Sequence, residues 1–335
     1  MESLQEAGLP ALLESAARLN VESYLLDRLG ASQRRLSPEA VRCLDELRRR
    51  VVSSAVDNMK RDAELSEALE GLAAQGIEAI LLKGAAMRAS RPGLAGRFQC
   101  DVDVLLRRRD LERAESILAG LGFRLDESYL DRENLLHSHF HLGYERRGAV
   151  VELHWDLDSS SPPGFVERLW AESREAGPDG GPFRVLAPEH QLLFGCLHLS
   201  RHGFHGGLRW LADLRLQLPA APEVARLFEK EARDWPERAV RCPLWVLAEH
   251  GVTEAAALAG DGGADSMDRA LLRRFMVPLL VAEPWLGVPA WRMEKALRSW
   301  LFSSRSLPAL LAEVSGEGMS GRLRSWAVGA ATDPV

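Results

Sequence analysis

The sequence predicts an α+β protein: a small mixed β-sheet carrying clustered carboxylates, with helices before it and a mainly helical region after it. Three observations carry that expectation. Residues up to about Gln75 place apolar side chains at helical spacing. The next stretch switches to short β-branched runs and an alternating hairpin. From Gly164 onward the helical spacing returns.

The first helical pattern, "LPALLESAARLNVESYLLDRLGA", ends at Gly30. The second opens with Ser37 as cap and Pro38 at the first helical position, and Gly76 ends it. "IEAILLKG" reads as a short buried strand finishing in Lys83-Gly84, followed by a small-residue turn or helix. "RFQCDVDVLL" reads as the next strand, and "RDLERAESILAGLGF" as an amphipathic helix. The arginines Arg107 to Arg109 are expected to be a solvated helix start. "HSHFHLGYERRGAVVELHWDLD" alternates, turns at Arg147-Gly148 and alternates again. "DSSSPPGF" breaks the pattern as a linker, and beyond it only a turn-rich stretch near "EAGPDGGPFRVLAPEH" interrupts the helices. The expected divisions are 1–75, 76–158 and 164–335.

A strand that wants burial through Val102, Val104, Leu105 and Leu106 also carries Asp101 and Asp103 on one face. Two carboxylates this close repel each other unless something positive lies between them. The pair reads as divalent-cation ligands, the alternative being a strand with one solvated face. On the metal reading, Asp103→Asn leaves the metal-free fold intact or slightly more stable, because a like charge is gone. Lysine is scarce here, at Lys60, Lys83, Lys230 and Lys295 among 42 cationic residues. Lys83 is thus a candidate for a task that needs a compact ammonium: a phosphate contact or a salt bridge to Asp101 or Asp103.

A two-residue hairpin turn sets His141 opposite His154, Gly143 opposite Glu152 and His139 opposite Asp156. Phe140, Leu142, Tyr144, Val151, Leu153 and Trp155 then share the core face. The other face gathers His139, His141, Glu152, His154 and Asp156, with Gly143 leaving space beside the Glu152 carboxylate. Glu152 is the candidate third metal ligand, with Asp156 or Asp158 as substitutes.

The chain has 335 residues, 46% hydrophobic and 27% charged, with a formal net charge of -6. That balance argues against broad nonspecific nucleic-acid binding. Cys43, Cys100, Cys196 and Cys242 form no CxxC and read as reduced thiols of a cytoplasmic protein. The start, "MESLQEAGLP", does not read as a signal peptide, and no apolar run approaches the ~20 residues of a membrane helix.

"LLKG", Arg97, "DVD", "ELHW", "HLSRHGFH" and "LRWLADL" occur in that order. The ordered set resembles an uncharacterised bacterial nucleotidyltransferase family of the DNA polymerase β-type superfamily, over about Gly76 to Leu214. The resemblance implies a nucleotidyltransferase core with Asp101, Asp103 and Glu152 as catalytic ligands of Mg²⁺ or Mn²⁺. It implies an NTP substrate, with ATP the expected donor, whose phosphates meet Lys83, Gly84 and Arg97. The acceptor, a small molecule, a protein side chain or an RNA end, is not specified. The wider superfamily usually has Gly-Ser after the first strand, whereas Gly84 is followed by Ala85.

His154 is expected to orient Glu152 or the acceptor, and His141 to line the groove. His198 and His202 stand four apart on one helix face and are expected to pack or to recognise the acceptor rather than bind zinc. Two rival functions are a catalytically inactive nucleotide-binding scaffold and a toxin-like transferase acting on tRNA.

Overall fold

The computed structural model describes residues 9–30, 38–90, 94, 97, 99, 101–128, 130–176, 183–218, 222–260, 266–283, 288–305, 307 and 310. Ser37 and Cys100 lie outside them. The chain divides into two compact units, Met1–Ala187 and Pro188–Val335.

In the first unit, the opening helical pattern forms two helices, α1 (Leu9–Arg18) and α2 (Glu22–Gly30). Asn20 takes a φ of 55° between them and ends the first. The long pattern becomes one helix, α3 (Pro38–Ala74). It leads into β1 (Ala79–Leu81), shorter than the apolar run, because α4 (Lys83–Ser90) already begins at Lys83. Strand β2 spans Asp101–Leu105, and α5 (Leu111–Gly120) follows. A two-residue strand β3 (Arg124–Leu125) and helix α6 (Arg132–Ser138) precede the hairpin; neither was expected. Asp131 caps α6 by accepting from the Asn134 amide at 2.9 Å.

The hairpin is β4 (His141–Arg146) and β5 (Ala149–His154), and its register is the expected one. Arg147 (φ 52°) and Gly148 (φ 78°) form the two-residue turn with positive φ that matches strand twist. The ladder ends at His141 opposite His154, so the expected His139–Asp156 pair falls beyond it. After α7 (Phe165–Glu172), the stretch read as turns contributes β6 (Arg174–Glu175) and β7 (Phe183–Val185). Strand β7 pairs in parallel with β1, completing a seven-stranded mixed sheet in the order β3-β4-β5-β2-β1-β7-β6.

Helices α3 and α5 cover one face of the sheet. Leu65, Leu72, Leu111 and Leu118 pack there against Val104, Val151 and Leu153. Trp155 packs against the same core, as expected. Phe140 does not: its carbonyl still accepts from the Trp155 amide at 3.0 Å, but its ring meets those of His141 and His154 at 5.1 and 5.9 Å. Arg107 and Arg108 are not simply solvated; they lie over Trp170 and Trp155, at 4.3 and 4.1 Å from the ring centroids.

The second unit is helical among its described residues: α8 (Pro188–Arg201), α9 (Leu208–Gln217), α10 (Pro222–Ala232), α11 (Glu237–Glu249), α12 (Thr253–Ala259), α13 (Ser266–Leu280) and α14 (Ala290–Leu301). Helix α8 packs against α9, α10, α11 and α14. No described helix is long and apolar enough to cross a membrane.

Candidate active site

The face of the sheet turned away from α3 and α5 gathers the carboxylates. Strands β2 and β5 run parallel with Asp103 beside Glu152, so both side chains leave on one face. One oxygen from each of Asp101, Asp103 and Glu152 lies within 4.8 Å of the others. Asp103 is 1% exposed. Such a buried carboxylate requires a positive partner.

The chain supplies that partner twice. The Lys83 Nζ stands 2.5 Å from Asp103 Oδ1 and 3.5 Å from Glu152 Oε2. The His154 Nε2 stands 3.1 Å from the same Asp103 oxygen and 3.2 Å from the same Glu152 oxygen. Asp103 and Glu152 therefore have cationic or hydrogen-bonding partners within the chain itself. Burial works against the Lys83 ammonium, but Asp103 and Glu152 outweigh it and raise its pKa above the ordinary lysine value. Burial also opposes the Glu152 anion, yet the His154 hydrogen bond and Lys83 hold its pKa well below the carboxylate range. His154 resists burial through its two carboxylate partners, and its pKa is raised. His141 stacks on His154 at 4.8 Å; burial, then the neighbouring imidazole, push its pKa down to about 4. His154 can thus present an Nε2–H to both carboxylates.

Lys83 reaches the carboxylates because it sits at the turn from β1 into α4 with a φ of 42°. A non-glycine residue there is uncommon and marks a site where the surroundings hold the backbone. The Leu82 amide donates to the Asp103 carbonyl at 3.0 Å and docks this turn on β2. Gly84 has a steric reason: a Cβ would collide with the Arg97 guanidinium and lie 3.3 Å from Gln99 Oε1. Arg97 is buried beneath that turn, its Nε donating to the Tyr24 hydroxyl at 2.9 Å. Its carbonyl accepts from Asn58 Nδ2 at 2.7 Å. Helices α2 and α3 thus brace the turn, a role that local sequence patterns do not announce. Gly84→Ala is expected to displace the Arg97 head group and cost about 1–3 kcal/mol, although alanine favours a helix. Urea denaturation checks this, and an unchanged midpoint would count against it.

Asp156 and Asp158 do not join the carboxylate cluster. Asp156 Oδ1 accepts from the Leu157 amide at 2.7 Å and from the Ser161 hydroxyl. Asp158 Oδ1 accepts from the Ser160 amide at 2.8 Å. Both stabilise the turn after β5, which leaves Glu152 as the third carboxylate.

His198 and His202 belong to the second unit. Their rings lie 4.7 Å apart and meet Trp210 at 4.6 and 4.7 Å. Among the described residues, no group of three potential metal ligands includes them.

A mixed α+β architecture of this kind is consistent with a nucleotidyltransferase fold. Residues 5–250 match the family described as an uncharacterised nucleotidyltransferase, and the chain belongs to that family. No curated protein matches it. Among solved structures, the chain is similar to the antibiotic-resistance factor ANT(2'')-Ia, whose solution structure is described as revealing substrate-regulated conformation dynamics. The identity is 16%, over 66% of this chain and 95% of that one, with a TM-score of 0.33. So loose an overlay bears on neither activity nor substrate.

Proposed function

We propose that the protein transfers a nucleoside monophosphate from an NTP, with ATP the expected donor, to an acceptor, using Mg²⁺ or Mn²⁺, as in the DNA polymerase β-type superfamily. The observation that supports this most is the cluster of three carboxylates with Lys83 beside Asp103 and Glu152. An all-oxygen, anionic donor set suits a hard divalent cation. Asp101, Asp103 and Glu152 would hold it, and it would supply charge neutralisation for the phosphates.

The chain's own groups would do the rest. Glu152 accepts the proton of the attacking acceptor group. His154, hydrogen-bonded to Glu152, orients that carboxylate. The amides at the start of α4, with Lys83 and Gly84, face the triphosphate. Arg97, packed under Gly84, adds positive charge to that turn. The acceptor oxygen bonds to the α-phosphorus, the bond to the bridging oxygen breaks, and pyrophosphate leaves. His141 would contact the acceptor. The division at 1–75, 76–158 and 164–335 belongs to the same proposal.

Incubation with α-labelled ATP and Mg²⁺ in a cell lysate tests the reading. Label in an acceptor with release of pyrophosphate supports it. Binding of an ATP analogue without pyrophosphate release supports a nucleotide-binding scaffold instead, and label confined to tRNA would favour the toxin-like transferase.

A further inference from the structure

Three side chains of the hairpin form a second donor set, different in kind from the carboxylate cluster. His141 and His154 stand opposite each other in the ladder, and Glu152 leaves β5 on the same face as His154. One ring nitrogen from each imidazole and one oxygen of Glu152 lie within 4.8 Å of one another. Ligands around a tetrahedral zinc ion stand about 3.3 Å apart, and rotation of these side chains closes the difference.

Both imidazoles hold unused bonding capacity. His141 Nδ1 and His154 Nδ1 are buried and have no hydrogen-bond partner among the described residues. His154 spends only its Nε2, on Asp103 and Glu152. Buried polar atoms are ordinarily satisfied, and one that is not calls for a reason. The set is also reachable. His141 and Glu152 border a groove along the hairpin, as does Gly143. A Cβ on Gly143, opposite Glu152, would meet nothing within 4 Å, so the glycine leaves the carboxylate room to swing.

Donor chemistry separates the two sets. Asp101, Asp103 and Glu152 offer oxygen alone and suit a hard cation. Two imidazoles with one carboxylate suit Zn²⁺ and neighbouring transition ions. Three protein ligands leave a position for water, whereas structural zinc sites close with four. We propose that His141, Glu152 and His154 form a second metal site, for Zn²⁺ or a similar transition ion, which shares Glu152 with the carboxylate cluster. The site stands on its donors; its consequence rests on the nucleotidyl-transfer reading. An ion held there occupies the Glu152 lone pair that accepts the acceptor's proton, and so inhibits transfer.

Zn²⁺ binding to the full chain, stripped with EDTA, is measured by calorimetry. Binding of Mg²⁺ with a non-hydrolysable ATP analogue is measured separately. Wild type is expected to take one equivalent of Zn²⁺. His141→Phe keeps an aromatic ring and removes both nitrogens. It should lose Zn²⁺ affinity by at least about a hundredfold, more than loss of a supporting residue costs, and keep the Mg²⁺·analogue affinity within about threefold. Asp101→Asn should do the reverse, keeping Zn²⁺ and losing the Mg²⁺·analogue by at least about tenfold. Glu152→Gln should weaken both, and loss of only one would overturn the sharing. Co²⁺ gives a readout on wild type alone: a four-coordinate site with nitrogen ligands colours intensely, and a six-coordinate oxygen site stays pale. A pale Co²⁺ form overturns the site, as does Zn²⁺ binding lost in Asp101→Asn but kept in His141→Phe. Zn²⁺ binding by a wild type that does not bind Mg²⁺ with the ATP analogue leaves this site standing and overturns the nucleotidyl-transfer reading instead.

Discussion

Asp103→Asn is expected to lose transfer by more than the roughly 10–100-fold attached to residues that merely support a metal ligand. The amide oxygen brings no charge to the cation, and Asp103 is the most buried member of the carboxylate set. The same substitution should also destabilise the metal-free protein. Lys83 and His154 both lean on Asp103 Oδ1, at 2.5 and 3.1 Å. Neutralising that oxygen leaves a largely buried ammonium and a buried imidazole with Glu152 as their remaining close partner, at a cost of about 3 kcal/mol. The sign is the reverse of what the two neighbouring aspartates suggest in sequence, where loss of a like charge promises a gain. Thermal melting of wild type and Asp103→Asn, each with EDTA and with Mg²⁺·ATP, separates these effects. Wild type should gain about 2.7 kcal/mol at 100 times its dissociation constant by mass action, and the variant far less. Equal ligand-induced shifts would remove Asp103 from the metal site, and a higher melting point for the variant in EDTA would show that Lys83 does not depend on it.

That reversal shows where legibility stopped. The hairpin was readable because alternation and a two-residue turn are local and mutually consistent; Arg147 and Gly148 adopt the positive φ values such a turn needs. With the register in hand, the grouping of Glu152 and His154 followed, and the parallel alignment of β2 with β5 brings both to Asp103. The DxD was legible as a pair and Lys83 as a possible counter-ion, but the choice between that role and a phosphate contact was not, because the distance from Lys83 depends on a backbone turn that begins α4 one residue after Leu82. Strand β7 was missed because its three residues follow a glycine- and proline-rich stretch and it pairs with β1, about a hundred positions earlier. Tyr24 and Asn58 went unnoticed for a similar reason: their hold on Arg97 spans separations of 73 and 39 residues. Phe140 looked like a core residue by parity, and its neighbour Trp155 keeps that parity beyond the last ladder pair, but the Phe140 ring turns to His141 and His154 instead.

Lys83→Met should give the opposite metal dependence. Methionine keeps most of the length and removes the charge. In EDTA the variant leaves Asp103 and Glu152 without the ammonium at 2.5 and 3.5 Å, and His154 is the remaining partner they share among the described residues. Removing one partner of such a buried pair costs about 3 kcal/mol, or roughly 6–10 °C in melting temperature. The ammonium and a divalent cation compete for the same oxygens, so Mn²⁺ alone should bind the variant more tightly than wild type and restore much of the lost stability. Mn²⁺·ATP should bind it less tightly than wild type, because the ammonium displaced from the carboxylates is then missing from the phosphates. A lysine with a purely structural role would lower stability without raising the affinity for free Mn²⁺. A lysine devoted to phosphate would leave the melting point in EDTA untouched. Mn²⁺ titrations with and without ATP, beside melts in EDTA, read both quantities on the same two proteins. Unchanged affinity for free Mn²⁺ in Lys83→Met would show that the ammonium does not stand where the cation binds.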